Sequence, residues 1–135
     1  MRAIVTGAAG FVGSHLVEHL IRAQWEVIAL DRQRPRSPEP EVFSYVVCDL
    51  MDPSGVAGLR IEADVVMHLA GYGEMLGALR DPAAYLQANV IGTAAALELA
   101  RAAGAKRFVY AASSSCYGAR PPVPTAEDAP IDTGH

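Results

Sequence analysis

The sequence predicts an α/β fold in which a doubly wound parallel sheet is covered on both faces by helices, giving three layers. Three observations predict it. Short runs of apolar and β-branched residues alternate with helical patterns along most of the 135 residues. Each strand-like run is nearly continuous in apolar residues, as strands buried on both faces are. The first run opens at once into closely spaced glycines and then an amphipathic stretch, the order of a strand–turn–helix unit.

The elements follow in turn. Arg2 to Thr6, with Ile4 and Val5 at its centre, reads as the first strand. From about Phe11 to Ala23, apolar residues at Phe11, Val12, Leu16, Leu20 and Ile21 recur at helical spacing. Val27 to Leu30 is the second strand, ending at Asp31, and Arg32 to Pro40, rich in Arg and Pro, is an irregular loop. Phe43 to Val47 is the third strand. Pro53 to Leu59 is a short, weak helix, because Gly55 and Gly58 lower its propensity. Val65 to Leu69 is the fourth strand. From Pro82 to about Ala103 an Ala- and Leu-rich pattern predicts the strongest helix, with Asp81 as N-cap, Pro82 in the first turn and Gly104 at its end. Arg107 to Ala111 is the fifth strand, and the proline-bearing tail 118–135 is expected to be loop. Right-handed crossovers then give the strand order 3-2-1-4-5.

Composition narrows the function. Apolar residues make up 51% and charged residues 19%, so a core can form within one domain over 1–135. Eleven Lys and Arg stand against 15 Asp and Glu, a net charge of −4, which leaves no basic stripe for nucleic acid. No apolar run approaches the ~20 residues that span a bilayer. Cys48 and Cys116 lack metal-type or redox-type spacing, so a cytoplasmic protein with reduced thiols is expected.

The chemistry lies in Thr6-Gly7-Ala8-Ala9-Gly10-Phe11-Val12-Gly13, between the first strand and first helix. Gly7 permits a tight turn, Gly10 lets backbone approach a pyrophosphate, and Gly13 lets the helix lie close on the sheet. The helix N-terminus adds free N–H groups and partial positive charge for that anion. This is the strand–glycine–helix context of a Rossmann-type dinucleotide site. A Walker-type loop is excluded, since Ser14 and not Lys follows Gly13. Asp31, at the end of the second strand, can accept hydrogen bonds from a ribose and would repel a 2′-phosphate. That favours NAD over NADP, although Arg32 and Arg34 are groups a phosphate would seek. His15-Leu16-Val17-Glu18-His19 matches a zinc-peptidase pattern, but it lies on the helix that must pack on the sheet and has no third ligand. No metal is expected, and His68 reads as a packed strand-end residue.

These residues resemble the N-terminal part of the extended short-chain dehydrogenase/reductases, the NAD-dependent epimerase/dehydratase family. The spacing Gly7-x-x-Gly10-x-x-Gly13 is similar to that family's. The likeness continues through Asp49-Leu50, His68-Leu69-Ala70-Gly71, Asn89-Val90-Ile91-Gly92-Thr93 and Phe108 to Gly118. The resemblance implies cofactor contacts from Gly7, Gly10, Phe11, Val12, Gly13, Asp31 and Arg32. It implies that Asp49 and Leu50 hold the adenine, and that Leu69, Ala70 and Gly71 leave the cofactor room. It further implies that Asn89 maintains the site's architecture, that Ala111 and Ala112 lie beside the cofactor, and that Ser113 is the catalytic hydroxyl, bonding the substrate oxygen.

One departure bears on activity. The family's catalytic Tyr stands four residues before a Lys, and no such pair exists here: Lys106 is the only lysine and position 102 is Ala102. By the resemblance that Tyr falls beyond His135, as do the remaining strands and the substrate domain. The chain is therefore expected to be the cofactor-binding part of an NAD-dependent nucleotide-sugar epimerase, inactive alone and homodimeric when intact. Ser114 and Ser115 stand where 4,6-dehydratases of the family carry Asp-Glu, which sets dehydration behind epimerisation, with reductase or dehydrogenase chemistry second. From another class, a non-catalytic NAD(P) sensor also fits the missing Tyr/Lys pair.

Overall fold

The computed structural model describes residues 1–34 and 44–132. The elements are β1 (Arg2–Thr6), α1 (Phe11–Arg22), β2 (Glu26–Asp31), β3 (Ser44–Val47), α2 (Pro53–Ala57), β4 (Val65–His68), α3 (Met75–Arg80), α4 (Pro82–Leu86), α5 (Gly92–Ala102) and β5 (Arg107–Tyr110). The five strands are parallel and lie in the order β3-β2-β1-β4-β5, as the sequence predicts. The expected Arg32 to Pro40 loop lies outside the described residues from Pro35 on. So does Phe43, the expected start of the third strand.

The continuous apolar runs are explained by the pleat, which sends alternate side chains to opposite faces. Ile4, Ile28 and Val66 stand side by side in register and face Ala96, Leu99 and Ala100 of α5, with Val56 of α2 beside them. Ala3, Val5, Val27 and Ala29 point the other way, onto Val17 and Leu20 of α1. Two cores on opposite faces make the three layers. Ile4, Val5, Val27 and Val66 are fully buried, and each such side chain stabilises the fold by roughly 1.5–3 kcal/mol.

Two features depart from the sequence reading. The single helix expected from Pro82 to Ala103 is one run of three parts: α4, a π-turn over Gln87–Ile91, and α5. The Gly92 N–H reaches back to the Gln87 carbonyl, a turn widened by one residue at the place where Asn89 is drawn out of the run to bond a neighbouring loop. The short helix α3 was not anticipated, because Gly77 sits inside it and its N-cap Glu74 makes no side-chain capping bond. The ends of the long run are as expected. The Asp81 side chain accepts from the Ala84 N–H, and Gly104, at φ +68°, lets the Ala105 N–H close onto the Ala100 carbonyl. Residues 118–132 form no helix or strand. Among the described residues, no helix is long and apolar enough to cross a membrane.

Candidate functional site

The strand order reverses between β1 and β4, and in open parallel sheets the crevice beyond that switch point takes the ligand. A cleft of about 180 Å3 opens there. The residues singled out from the sequence that line it are Gly7, Asp31, Arg32, Asp49, Leu50, Ala70 and Gly71.

Its floor is Gly7, at the start of the glycine turn; Gly10 and Gly13 belong to the same turn but do not line the cleft. Gly7 has φ +70°, and a Cβ there would stand 2.7 Å from the Ala70 nitrogen. A Cβ on Gly13 would stand 2.0 Å from the Gly7 carbonyl oxygen, so α1 seats itself against β1 only without a side chain there. Over Gly10 the one close neighbour of a Cβ would be the Gly7 oxygen at 3.1 Å, which leaves its outer side open. Gly10 is the N-cap of the 12-residue α1 and supplies no capping side chain, and no acid occupies the first turn. The first N–H groups of that helix are therefore available to an anion.

One wall is the end of β2. Asp31 accepts from the Ala9 N–H (3.0 Å) and the Gln33 N–H (3.2 Å), which ties the glycine turn to the strand end. A carboxylate has acceptor sites to spare after two such bonds. The Arg32 guanidinium reaches Tyr72, donating to its hydroxyl at 2.6 Å and lying 5.3 Å over its ring, and both residues line the cleft. Asp49 accepts from the Met51 N–H (2.9 Å), which fixes the turn after β3, and Leu50 is buried beside it. Cys48 also lines the cleft, and burial, then Asp49 and Asp52, push its thiol pKa up.

The other wall follows β4. Ala70 and Gly71 line the cleft, whereas Leu69 packs toward the α1 face. Asn89 grips the backbone of Tyr72 with both ends of its amide: Oδ1 accepts from the Tyr72 N–H (2.8 Å) and Nδ2 donates to the Tyr72 carbonyl (2.9 Å). A Cβ on Gly71 would stand 2.8 Å from that Oδ1. Asn89 thus shapes the wall without lining it. Phe11 and Val12 are exposed at the start of α1. Ala111 and Ala112 are exposed after β5, where the Ala111 N–H bonds the His68 carbonyl. None of these four lines the cleft. Ser113 is exposed too, and its hydroxyl meets that of Ser115 at 2.7 Å and accepts from the Ser115 N–H.

Sequence reasoning missed Leu30, Gln33, Cys48, Met51, Tyr72 and Ala88 among the lining residues. Each adjoins a residue it did find, but which neighbour turns inward depends on the local turn. Within the zinc-like pattern, His15 bonds the Phe11 carbonyl and Glu18 pairs with Arg22, both along the helix.

The profile of the NAD dependent epimerase/dehydratase family matches residues 3–135. The chain belongs to that family. Among its relatives, the UDP-glucose 4-epimerase of Mycolicibacterium smegmatis is 37% identical over 98% of this chain and 45% of its own length. A crystal structure of a UDP-galactose 4-epimerase superposes with a TM-score of 0.81 at 38% identity, over 98% of this chain and 45% of that one. The Thermus thermophilus UDP-glucose 4-epimerase, solved as a complex with NAD, gives 0.80 at 33% identity over 98% and 44%. The chain thus spans less than half the length of these relatives.

Proposed function

We propose that this chain is the cofactor-binding part of an NAD-dependent nucleotide-sugar epimerase. The observation that carries the reading is the side-chain-free turn at Gly7, Gly10 and Gly13, bound through the Ala9 N–H to the Asp31 carboxylate, with Gly7 and Asp31 lining one cleft. The residues present fit a dinucleotide. The open side of Gly10 and the uncapped start of α1 would take the pyrophosphate, with Phe11 and Val12 contributing backbone N–H groups. Asp31 would accept ribose hydroxyls, and Asp49 and Leu50 would hold the adenine. Gly71, kept bare by Asn89, gives the cofactor passage toward Ala111 and Ala112. Arg32 lies against Tyr72, so the carboxylate dominates the ribose corner and favours NAD over NADP.

Bound NAD would supply a hydride acceptor and donor at its nicotinamide. Ser113 would hydrogen-bond the substrate oxygen, exchanging its Ser115 hydroxyl partner for it. The substrate class, a nucleotide sugar, is supported by the relatives named UDP-glucose 4-epimerase. A homodimer through the run from Pro82 to Ala102 is supported by Leu86, Val90 and Leu97, which that run leaves exposed.

Calorimetric titration of the intact protein with NAD+ and NADP+, followed by an epimerisation assay on UDP-glucose, tests the reading. NAD+ binding in preference to NADP+, with interconversion of the sugar, is expected. Binding of neither nucleotide overturns it. Binding without turnover of any nucleotide sugar would point to a nucleotide sensor instead.

A further inference from the structure

Beneath the cleft runs a line of polar groups that composition alone would not lead one to expect in an apolar core. Thr6 and His68, paired in register on β1 and β4, are 0% and 1% exposed. The Thr6 hydroxyl meets His68 Nδ1 at 2.7 Å, and His68 Nε2 meets the Thr93 hydroxyl at 3.0 Å. Thr93 in turn donates to the Asn89 carbonyl at 2.7 Å, while the Leu69 and Ala70 N–H groups both donate to Thr6 Oγ1 at 3.3 Å. No buried side-chain nitrogen or oxygen among the described residues lacks a partner.

The protons in this line can be placed by counting. A hydroxyl has one hydrogen, and that of Thr93 is committed to Asn89, because a carbonyl only accepts. Thr93 must then accept from His68, so Nε2 carries the imidazole hydrogen. Nδ1 is left as an acceptor and takes the Thr6 hydrogen, and the Thr6 lone pairs take Leu69 and Ala70. We propose that His68, held as the Nε2–H tautomer, is a positioning residue that ties together the two parts of the cleft wall that follows β4. Through Thr93 it fixes the π-turn bearing Asn89, and through Thr6 it fixes the backbone of Leu69 and Ala70. What the cleft then receives rests on the dinucleotide reading above.

Burial lowers the His68 pKa, consistent with a ring that stays uncharged. The groups around it are Thr6 on β1, Thr93 on α5, and the rings of Phe108 and Tyr110 on β5, centred 5.7 and 5.8 Å away. Of these only Tyr110 can titrate. A second proton on Nδ1 would bring a third donor to Thr6 Oγ1 and strand the Thr6 hydrogen, opening the line at its centre.

Two measurements on the intact protein test this. In 15N spectra of histidine-labelled protein, with His68→Gln used to assign the signal, Nε2 should be protonated and Nδ1 bare at neutral pH. An Nδ1–H tautomer or an imidazolium there overturns the proposal. Thr93→Val keeps the shape but removes both hydrogen bonds. It should speed exchange of the Tyr72 amide, which Asn89 holds, by about tenfold and weaken NAD+ by a similar factor, with Thr93→Ser restoring both. A folded Thr93→Val protein with wild-type Tyr72 exchange overturns the proposal even if NAD+ affinity falls. Should the wild-type protein fail to bind NAD+, the dinucleotide reading fails, while the tautomer and the exchange still decide the role of His68. The tautomer is read in the wild-type protein, so it decides even if Thr93→Val does not fold.

Discussion

The Asp31 carboxylate holds the glycine turn through Ala9 as well as facing the cleft. Its replacement should therefore do two things. Asp31→Ala is expected to weaken NAD+ by about 1–3 kcal/mol and NADP+ by less, measured by calorimetry. Asp31→Asn keeps an oxygen for Ala9 but removes the charge, so a smaller loss there isolates the share owed to the turn. An acid at the end of the second strand was legible from the sequence. Its bond to Ala9 was not, because that bond exists only once the turn has folded back over the strand end. The glycines divide in the same way. Gly13→Ala would drive a Cβ into the Gly7 oxygen, while Gly10→Ala meets the same oxygen at 3.1 Å. Thermal unfolding should show Gly13→Ala as the more damaging, by about 1–3 kcal/mol in line with other overpacking changes.

Among the elements, the long run behind β4 shows where local rules suffice and where they stop. Asp81, Pro82 and Gly104 mark its ends in the sequence, and the structure uses all three as expected. Asp81→Ala should cost about 1 kcal/mol in denaturant unfolding, the usual worth of an N-cap. The π-turn in its middle was not legible, since nothing local in Gln87 to Ile91 demands a widened turn. It goes with the grip of Asn89 on Tyr72, whose partner lies 17 residues away. The tether of Arg32 to Tyr72 is also a contact between elements, joining the end of β2 to the loop after β4. Tyr72→Phe removes the hydroxyl that holds the guanidinium and should raise NADP+ affinity relative to NAD+, as competition titration would show. An unchanged ratio would mean that Arg32 does not reach the ribose corner when released.

For the molecule as a whole, the buried imidazole makes stability depend on pH. Folding lowers the pKa of His68 through burial, so below about pH 6.5 the unfolded chain binds a proton that the folded chain refuses. The contribution is intact above that pH and is lost as the pH falls toward the lowered folded value. Urea midpoints measured through this window should decline on acidification, and His68→Gln should flatten the decline. Asp52 acts in the same direction at lower pH. Its bonds to Ser54 depress its pKa, so the cap of α2 holds above the ordinary carboxylate range and is lost as the pH falls through the depressed value.

The sequence by itself determined the sheet. Five apolar runs, each able to bury both faces, and crossovers of one hand leave little freedom in strand order. The glycine spacing marked the tight turn after β1 for the same reason: its constraints are backbone constraints, carried by residues close together in the chain. Tertiary structure alone decided which side chains meet across the cleft. His68 reads as an ordinary strand-end residue until Thr6, Thr93 and the Asn89 turn are brought around it. A hydrogen-bond line has no sequence period, because its members come from separate strands and a helix and share only a place in the core.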